Sequence, residues 1–440
     1  MKNTKNILAG AMAVALTAPM VAMATNGYFA IGYGSNSRGM AGVGVALPKD
    51  ATAAASNPAG MGMVGNSAVV GVELFSPADR SADSGFLGQP RHSESDRNLF
   101  LIPHFGYVTK LDNKMSFGVS VFGNGGMNTQ YNPDTAGGVN LFGAADKLGV
   151  DLAQLLIAPT IAYKVNDKNT IGASVILGYQ RFKAQGLQNF CSLKAGAVDA
   201  ACSGFGAIGT AAANAGLTNQ GYDDAMGWGV RIGWIGEIND KVTLGATFAS
   251  RVYMSEFDKY NQLFAEQGDF DIPANFAVGI AVKATPKLTV AFDIQEILYG
   301  DVNSIANTGP ALTGAAIGAG SGNLGTDNGL GFGWEDQTVY KLGVEYVRDA
   351  KWTYRAGINY GSSPIPDTEL AFNIIAPAVV EKHLTLGFTY KQAKNAELTF
   401  AYMRAFDEEQ TGAFPAAFGG GTTKLQMEQN AIEASYSWKF

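Results

Sequence analysis

The chain has 440 residues, 47% hydrophobic and 16% charged, with 31 Lys and Arg against 38 Asp and Glu for a formal net charge of −7. That acidic balance argues against nucleic acid as a partner, because phosphate binding needs clustered Lys and Arg. The 56 glycines and the absence of leucine-rich helical stripes argue against a helical protein.

Met1–Ala24 has the layout of a secretory signal peptide. Lys2 and Lys5 give the positive end, Ile7 to Val21 the apolar stretch, and Ala22-Met23-Ala24 the small-residue cleavage site. The apolar stretch is short and interrupted by Thr17 and Pro19, which disfavours a membrane anchor. A mature chain is expected from Thr25, and loss of the two lysines takes the net charge from −7 to −9. Beyond it, no segment approaches the about 20 mostly apolar residues of a spanning helix. No linker separates independent cores, so one large all-β unit with an N-terminal extension is expected.

Residues 25–67 carry little alternation and many small residues. The run Ala51–Ala55 can make one or two helical turns, which Asn57-Pro58 should end, since Pro cannot continue a helix. Compact and nearly uncharged, the segment suits a plug inside a larger shell. Its apolar content disfavours a disordered tail.

From residue 68 on, alternation recurs. Met115, Phe117, Val119 and Val121 alternate with Ser116, Gly118 and Ser120. Ile171, Val175 and Leu177 alternate with Gly172, Ser174 and Gly178, and Trp228, Val230 and Ile232 with Gly229 and Arg231. Leu384, Leu386 and Phe388 alternate with His383, Thr385 and Gly387. Alternation fits both a sandwich and a barrel. Connection lengths separate them. Short polar turns near 111–113, 166–168, 239–240, 285–286, 348–350 and 394–395 alternate with long connections at 77–97, 124–149, 184–224, 256–272, 301–334, 361–379 and 408–424. Seven long and six short connections imply fourteen strands, with both chain ends on the short-turn rim. That is how outer-membrane barrels are built.

The last strand reads Ile432, Ala434, Tyr436, Trp438 and Phe440 on one parity and Glu433, Ser435, Ser437 and Lys439 on the other. Its terminal aromatics Tyr436, Trp438 and Phe440 suit an interfacial girdle. The same strand is expected to be the contact for the barrel assembly machinery. Cys191 and Cys202 lie close together in a Gly/Ala-rich loop, and in an exported chain such a pair is most simply a disulfide. His92, His104 and His383 are far apart and offer neither metal-ligand spacing nor a nucleophile–base pair, so no metal, cofactor or enzymatic activity is expected. His383, on a polar strand face, is expected in the lumen.

Several of these features occur together as Asn26-Gly27-Tyr28-Phe29, Ser37-Arg38-Gly39-Met40-Ala41-Gly42, Asn57-Pro58-Ala59, Ser363-Pro364-Ile365-Pro366-Asp367, His383–Phe388 and the aromatic C-terminus. With this constellation the chain resembles the FadL/TodX-type family of Gram-negative outer-membrane transporters of long-chain fatty acids and hydrophobic compounds, over essentially the whole mature length. The resemblance implies a fourteen-stranded barrel (68–440) plugged by an N-terminal hatch (25–67) that carries Asn26, Tyr28, Phe29, Asn57, Pro58 and Ala59. It also implies passive uptake: capture in an extracellular groove, a lumenal site by the hatch, and sideways exit at a kinked third strand. Leu187, Phe190, Tyr260, Leu263 and Phe264 are candidates for the groove, or else pack the two loops on each other. Asn124, Gly125 and Gly126 are candidates for the kink, since glycines in an alternating strand mark a bulge or, alternatively, its end.

Tyr179–Lys183 resembles the family segment whose Arg meets a fatty-acid carboxylate, which makes Arg181 a possible carboxylate contact. Simple parity, however, puts Arg181 on the outward face. The second basic position, near the start of the tenth strand, holds Glu335 and Asp336. Both departures favour a neutral hydrocarbon or aromatic. The expected partners are a hydrophobic small molecule and outer-membrane lipid, with the chain a monomer. A general diffusion porin is the alternative.

Overall fold

The computed structural model describes residues 26–134, 137–194, 202, 210, 213–309 and 323–440; the expected signal peptide lies outside them. Fourteen antiparallel strands form a closed barrel. They are β1 (Ser67–Ser76), β2 (Phe100–Lys110), β3 (Met115–Asn128), β4 (Gly149–Lys164), β5 (Asn169–Gln185), β6 (Asp223–Glu237) and β7 (Val242–Ala249). They continue as β8 (Asn275–Thr285), β9 (Leu288–Ile297), β10 (Gln337–Val347), β11 (Trp352–Gly361), β12 (Lys382–Ala393), β13 (Ala396–Ala413) and β14 (Thr422–Lys439). Each pairs with the next, and β1 pairs with β14 from Ser67↔Lys439 to Ser76↔Asn430, which closes the cylinder. The strand number agrees with the one expected from the rhythm of long and short connections.

Alternation decides which face looks where. On β1, Val70, Val72 and Leu74 are exposed while Glu73 is buried; on β14, Ile432 and Tyr436 are exposed while Glu433 and Ser435 are buried. The same apolar-out pattern runs through Val175 and Leu177 on β5, Val230 and Ile232 on β6, and Leu384 and Leu386 on β12. A soluble sandwich would bury these residues. A lipid-facing barrel exposes them. His383 is buried on the inward parity, as expected. At the closing seam Phe440 stacks on Tyr107 with ring centroids 5.7 Å apart, and Tyr436 lies 6.0 Å from half-buried Trp438.

The tight turns are built by Asx side chains, which accept their own backbone N–H groups two and three residues on. Asp112 does so for Lys114 and Met115, Asn166 for Lys168 and Asn169, Asn239 for Lys241 and Val242, and Asp349 for Lys351 and Trp352. The long connections crowd the opposite rim. One carries a small hairpin, Ser81–Ser84 paired with Arg91–Glu94. Another is closed by a disulfide between Cys191 and Cys202, with Cα atoms 5.7 Å apart. No helix among the described residues is long and apolar enough to cross a membrane.

Residues 26–66 precede β1 and pack on inward-facing barrel residues. They hold a single helical turn, Ser35–Arg38, and short 3-10 turns at Ala53–Ala55 and Pro58–Gly62. Inward glycines make room for their backbone: a Cβ at Gly106 would stand 2.3 Å from the Ala51 carbonyl oxygen.

Candidate functional site

Polar contacts of full strength tie the N-terminal segment to the wall. Asn57 starts the turn Pro58–Gly62: its Oδ1 accepts from Ala59 N–H at 3.1 Å, and Pro58, needing no N–H partner there, follows it. The Asn57 amide donates to the carbonyls of Val45 (2.8 Å), Trp234 (3.1 Å) and Ala246 (3.3 Å), so one side chain bridges the segment, β6 and β7. Arg38 spans two strands, pairing with Glu73 of β1 and, at 3.2 Å, with Glu433 of β14; Ser35 and His104 complete the Glu433 shell at 3.1 and 3.3 Å. On the opposite wall Asp293 accepts the N–H groups of Gly44 (2.8 Å) and Val45 (3.0 Å), and Lys341 donates to the Ile31 carbonyl at 3.0 Å. All these charged side chains are buried, so each is worth having only because it is partnered.

The start of the segment is bound into the third strand. The β2–β3 ladder runs from Lys110↔Ser116 only as far as Phe105↔Val121. Beyond it β3 shifts register against β4 between Gly123 and Gly125, a bulge at Asn124. There the tight turn Asn26–Phe29 supplies the missing partner: Gly126 N–H donates to the Tyr28 carbonyl at 3.1 Å and Ala30 N–H to the Asn124 carbonyl at 2.9 Å. The Asn124 side chain faces inward, donating to Gln154 Oε1 (2.9 Å) and accepting from the Tyr33 hydroxyl (3.0 Å). Asn124, Gly125 and Gly126 are therefore a bulge inside the strand rather than its terminal turn. Asn26, Tyr28 and Phe29 stand against it, while Asn57, Pro58 and Ala59 hold the segment some thirty residues on.

Above this junction the molecule is a packed aromatic chain. Tyr28 is ringed by Phe29 (5.3 Å), Tyr299 (5.4 Å), Trp334 (5.9 Å) and Phe270 (6.1 Å). One branch leads outward through Phe270 to Phe264 (4.8 Å) and Phe182 (4.7 Å), which meets Tyr260 at 4.8 Å. The other runs from Trp334 through Phe332 (6.3 Å) and Phe372 (6.1 Å) to Phe190 (5.5 Å). The groove candidates Leu187, Phe190, Tyr260, Leu263 and Phe264 thus belong to one buried cluster, none more than 4% exposed, and do not line an open groove. Loop packing accounts for that burial. At the edge of this cluster Asp269 and Asp271 lie together in the β7–β8 connection. Burial, and then the neighbouring carboxylate, pushes Asp269 up to about 7; burial also raises Asp271, which accepts Met254 N–H at 2.6 Å.

Arg181 is corrected as a carboxylate contact. It lies on the exposed parity of β5, opposite exposed Asp224 of β6, with its guanidinium 3.9 Å from the centre of the Tyr222 ring. Inward neighbours Gln180 and Phe182 take the lumenal side, because strand alternation leaves Arg181 no other choice. Several residues of the site had no signal of their own in the sequence. Tyr299, Trp334 and Phe332 come from the long β9–β10 connection, where an aromatic residue shows no period. Asp293 and Lys341 did carry one, being charged residues on the polar parity of their strands.

The family described as "Outer membrane protein transport protein (OMPP1/FadL/TodX)" matches residues 12–437. No curated protein sequence matches the chain. Among solved structures, the Pseudomonas putida toluene transporter TodX is 20% identical, with 93% of this chain and 99% of that one covered at a TM-score of 0.65. A Pseudomonas aeruginosa FadL homologue is 16% identical over 94% and 100% at 0.68, and the Ralstonia pickettii toluene transporter TbuX 21% identical over 93% and 99% at 0.62. These likenesses show a shared fold. Given the family match over nearly the full length and the closed, apolar-sided barrel, the chain belongs to the FadL/TodX family of Gram-negative outer-membrane channels for hydrophobic compounds, and is a transporter and not an enzyme.

Proposed function

We propose that this barrel takes up neutral hydrophobic molecules, aromatic or aliphatic hydrocarbons in preference to fatty acids, and releases them sideways between β2 and β3. The carrying observation is the stretch of β3 at Asn124–Gly126 that pairs with β4 but not with β2, its β2-facing edge bonding to the turn at Tyr28 instead. In this reading residues 25–67 act as the hatch. Molecules enter among the aromatics of the outer loops, with Leu187, Phe190, Tyr260, Leu263 and Phe264 parting to form the groove. They settle beside Tyr28, Phe29, Tyr299 and Trp334, and leave when the Asn26–Phe29 turn withdraws from the bulge. Each step exchanges one apolar surrounding for another, at ~25 cal/mol per Å² of apolar surface kept from water. A gradient then suffices as driving force.

The outward Arg181 and the acidic Glu335 and Asp336 near β10 support a neutral substrate. Uptake of labelled toluene and of labelled oleate by a transporter-deficient host expressing this chain tests the preference. Oleate uptake without toluene uptake would reverse it. A general diffusion porin is disfavoured by residues 26–66, which occupy inward-facing partners on nearly every side. Rapid swelling of loaded liposomes in small sugars would restore that reading.

A further inference from the structure

We infer that the outer wall of β4–β6 carries a site for the phosphate groups of the glycolipid in the outer leaflet, built on Arg181, Lys183 and Tyr222. Lipid-facing residues of β5 run Ile171, Val175, Leu177, Tyr179, Arg181 and Lys183 toward the long-loop rim, the extracellular one. Ten residues of strand, Ile171 to Arg181, rise about 33 Å along the strand and, at a tilt of about 40°, about 25 Å along the barrel axis, the height of an apolar belt. Ile171 stands opposite Trp234 and Tyr179 opposite Met226, so aromatic and apolar side chains end the belt one step below Arg181. The two cations therefore sit where hydrocarbon gives way to head groups.

Each also has a carboxylate opposite it on the neighbouring strand, Asp224 across from Arg181 and Asp151 across from Lys183. Arg181 and Lys183 lie 3.9 and 5.0 Å from the centre of the same Tyr222 ring. These carboxylates keep their charge, but each accepts a hydrogen bond from a group other than the two cations. Asp151 accepts the Tyr222 hydroxyl at 2.7 Å, Asp224 accepts the Tyr179 hydroxyl, and Asp223 accepts Lys259 N–H at 2.8 Å. A third cation joins them as Lys259 Nζ donates to the Tyr222 carbonyl. Among the described residues neither Arg181 nor Lys183 forms an ion pair. A guanidinium placed over an aromatic ring still has N–H donors to offer a phosphate, and a neighbouring ammonium adds a point charge.

The test uses barrels purified from outer membranes in mild detergent, stripped of lipid and titrated with bisphosphorylated lipid A or its dephosphorylated form. The wild type is expected to favour the phosphorylated form, and Arg181→Gln with Lys183→Gln to lose that preference, roughly fivefold for each cation removed. Heat-modifiable gel mobility reports folding, and Lys183→Gln alone serves if the double variant does not insert. Equal binding of both lipids by the wild type overturns the inference. So does an unchanged preference in the variant, or loss of the preference on chelating divalent cations in the wild type alone.

Discussion

Gly125 and the Tyr28 carbonyl are in contact so close that a Cβ on Gly125 would stand 1.7 Å from the oxygen. No rotamer relieves such an overlap between backbone atoms, so only glycine lets the N-terminal turn hydrogen-bond into the third strand. In Gly125→Val with Gly126→Val the branched side chains would themselves fill the opening that the displaced turn leaves, so uptake of a hydrophobic substrate should be blocked while insertion stays intact, since the β3 ladder from Met115 to Gly123 is untouched. Normal transport by a folded variant would dispose of the lateral exit.

Asn57→Ala removes one turn-capping acceptor and three donations to buried carbonyls. Loss of a cap and of buried partners costs about 1–3 kcal/mol, which here falls on the N-terminal segment and not on the strands. Faster amide hydrogen exchange across residues 44–62, with barrel melting little changed, is the expected pattern. Exchange that rises equally in β6 and β7 would show that the segment has no stability of its own.

Arg38→Met leaves Glu73 and Glu433 facing each other without the guanidinium between them. Breaking a buried charge network by removing one partner costs roughly 3–5 kcal/mol. The thermal transition should fall, and adding Glu73→Gln with Glu433→Gln should recover most of it, because neutral amides no longer need the guanidinium. A triple variant as weak as the single one would mean that Arg38 acts through packing alone.

The Asp269–Asp271 pair gives the outer loops a pH dependence of definite sign. Their folded-state values lie above the usual carboxylate range, with Asp269 at about 7, so folding of this loop favours bound protons. The stabilisation is complete below about pH 4, the ordinary carboxylate value, and is lost as pH rises through about 7. Protease cleavage within 256–272 should be slower near about pH 5 than near about pH 8.5. Asp269→Asn should flatten the difference; a profile unchanged by that substitution would assign it to other groups.

Much of this architecture was legible because barrels write themselves in simple terms. The two-residue period of Val70, Val72 and Leu74 against Glu73 told inside from outside, and the rhythm of long and short connections gave the strand number. The same parity argument placed Arg181 outside, against the motif it resembles, and there strand geometry prevailed over similarity. The glycines at 125 and 126 announced a disturbed strand, but not what fills it. Tyr28 lies about a hundred residues earlier in the chain, and nothing local to either end records the pairing. Tyr299, Trp334 and Phe332 were silent for a related reason. They sit in a connection without a repeat, where only the folded barrel brings them to one point.

Arg38 touches the first strand and the last, the two edges that meet when the cylinder shuts. Its guanidinium thus works as a rivet across the final joint of assembly. Until the last strand arrives, one of the two carboxylates it needs is absent. The complete set of Arg38 contacts therefore exists only once the first and last strands have met.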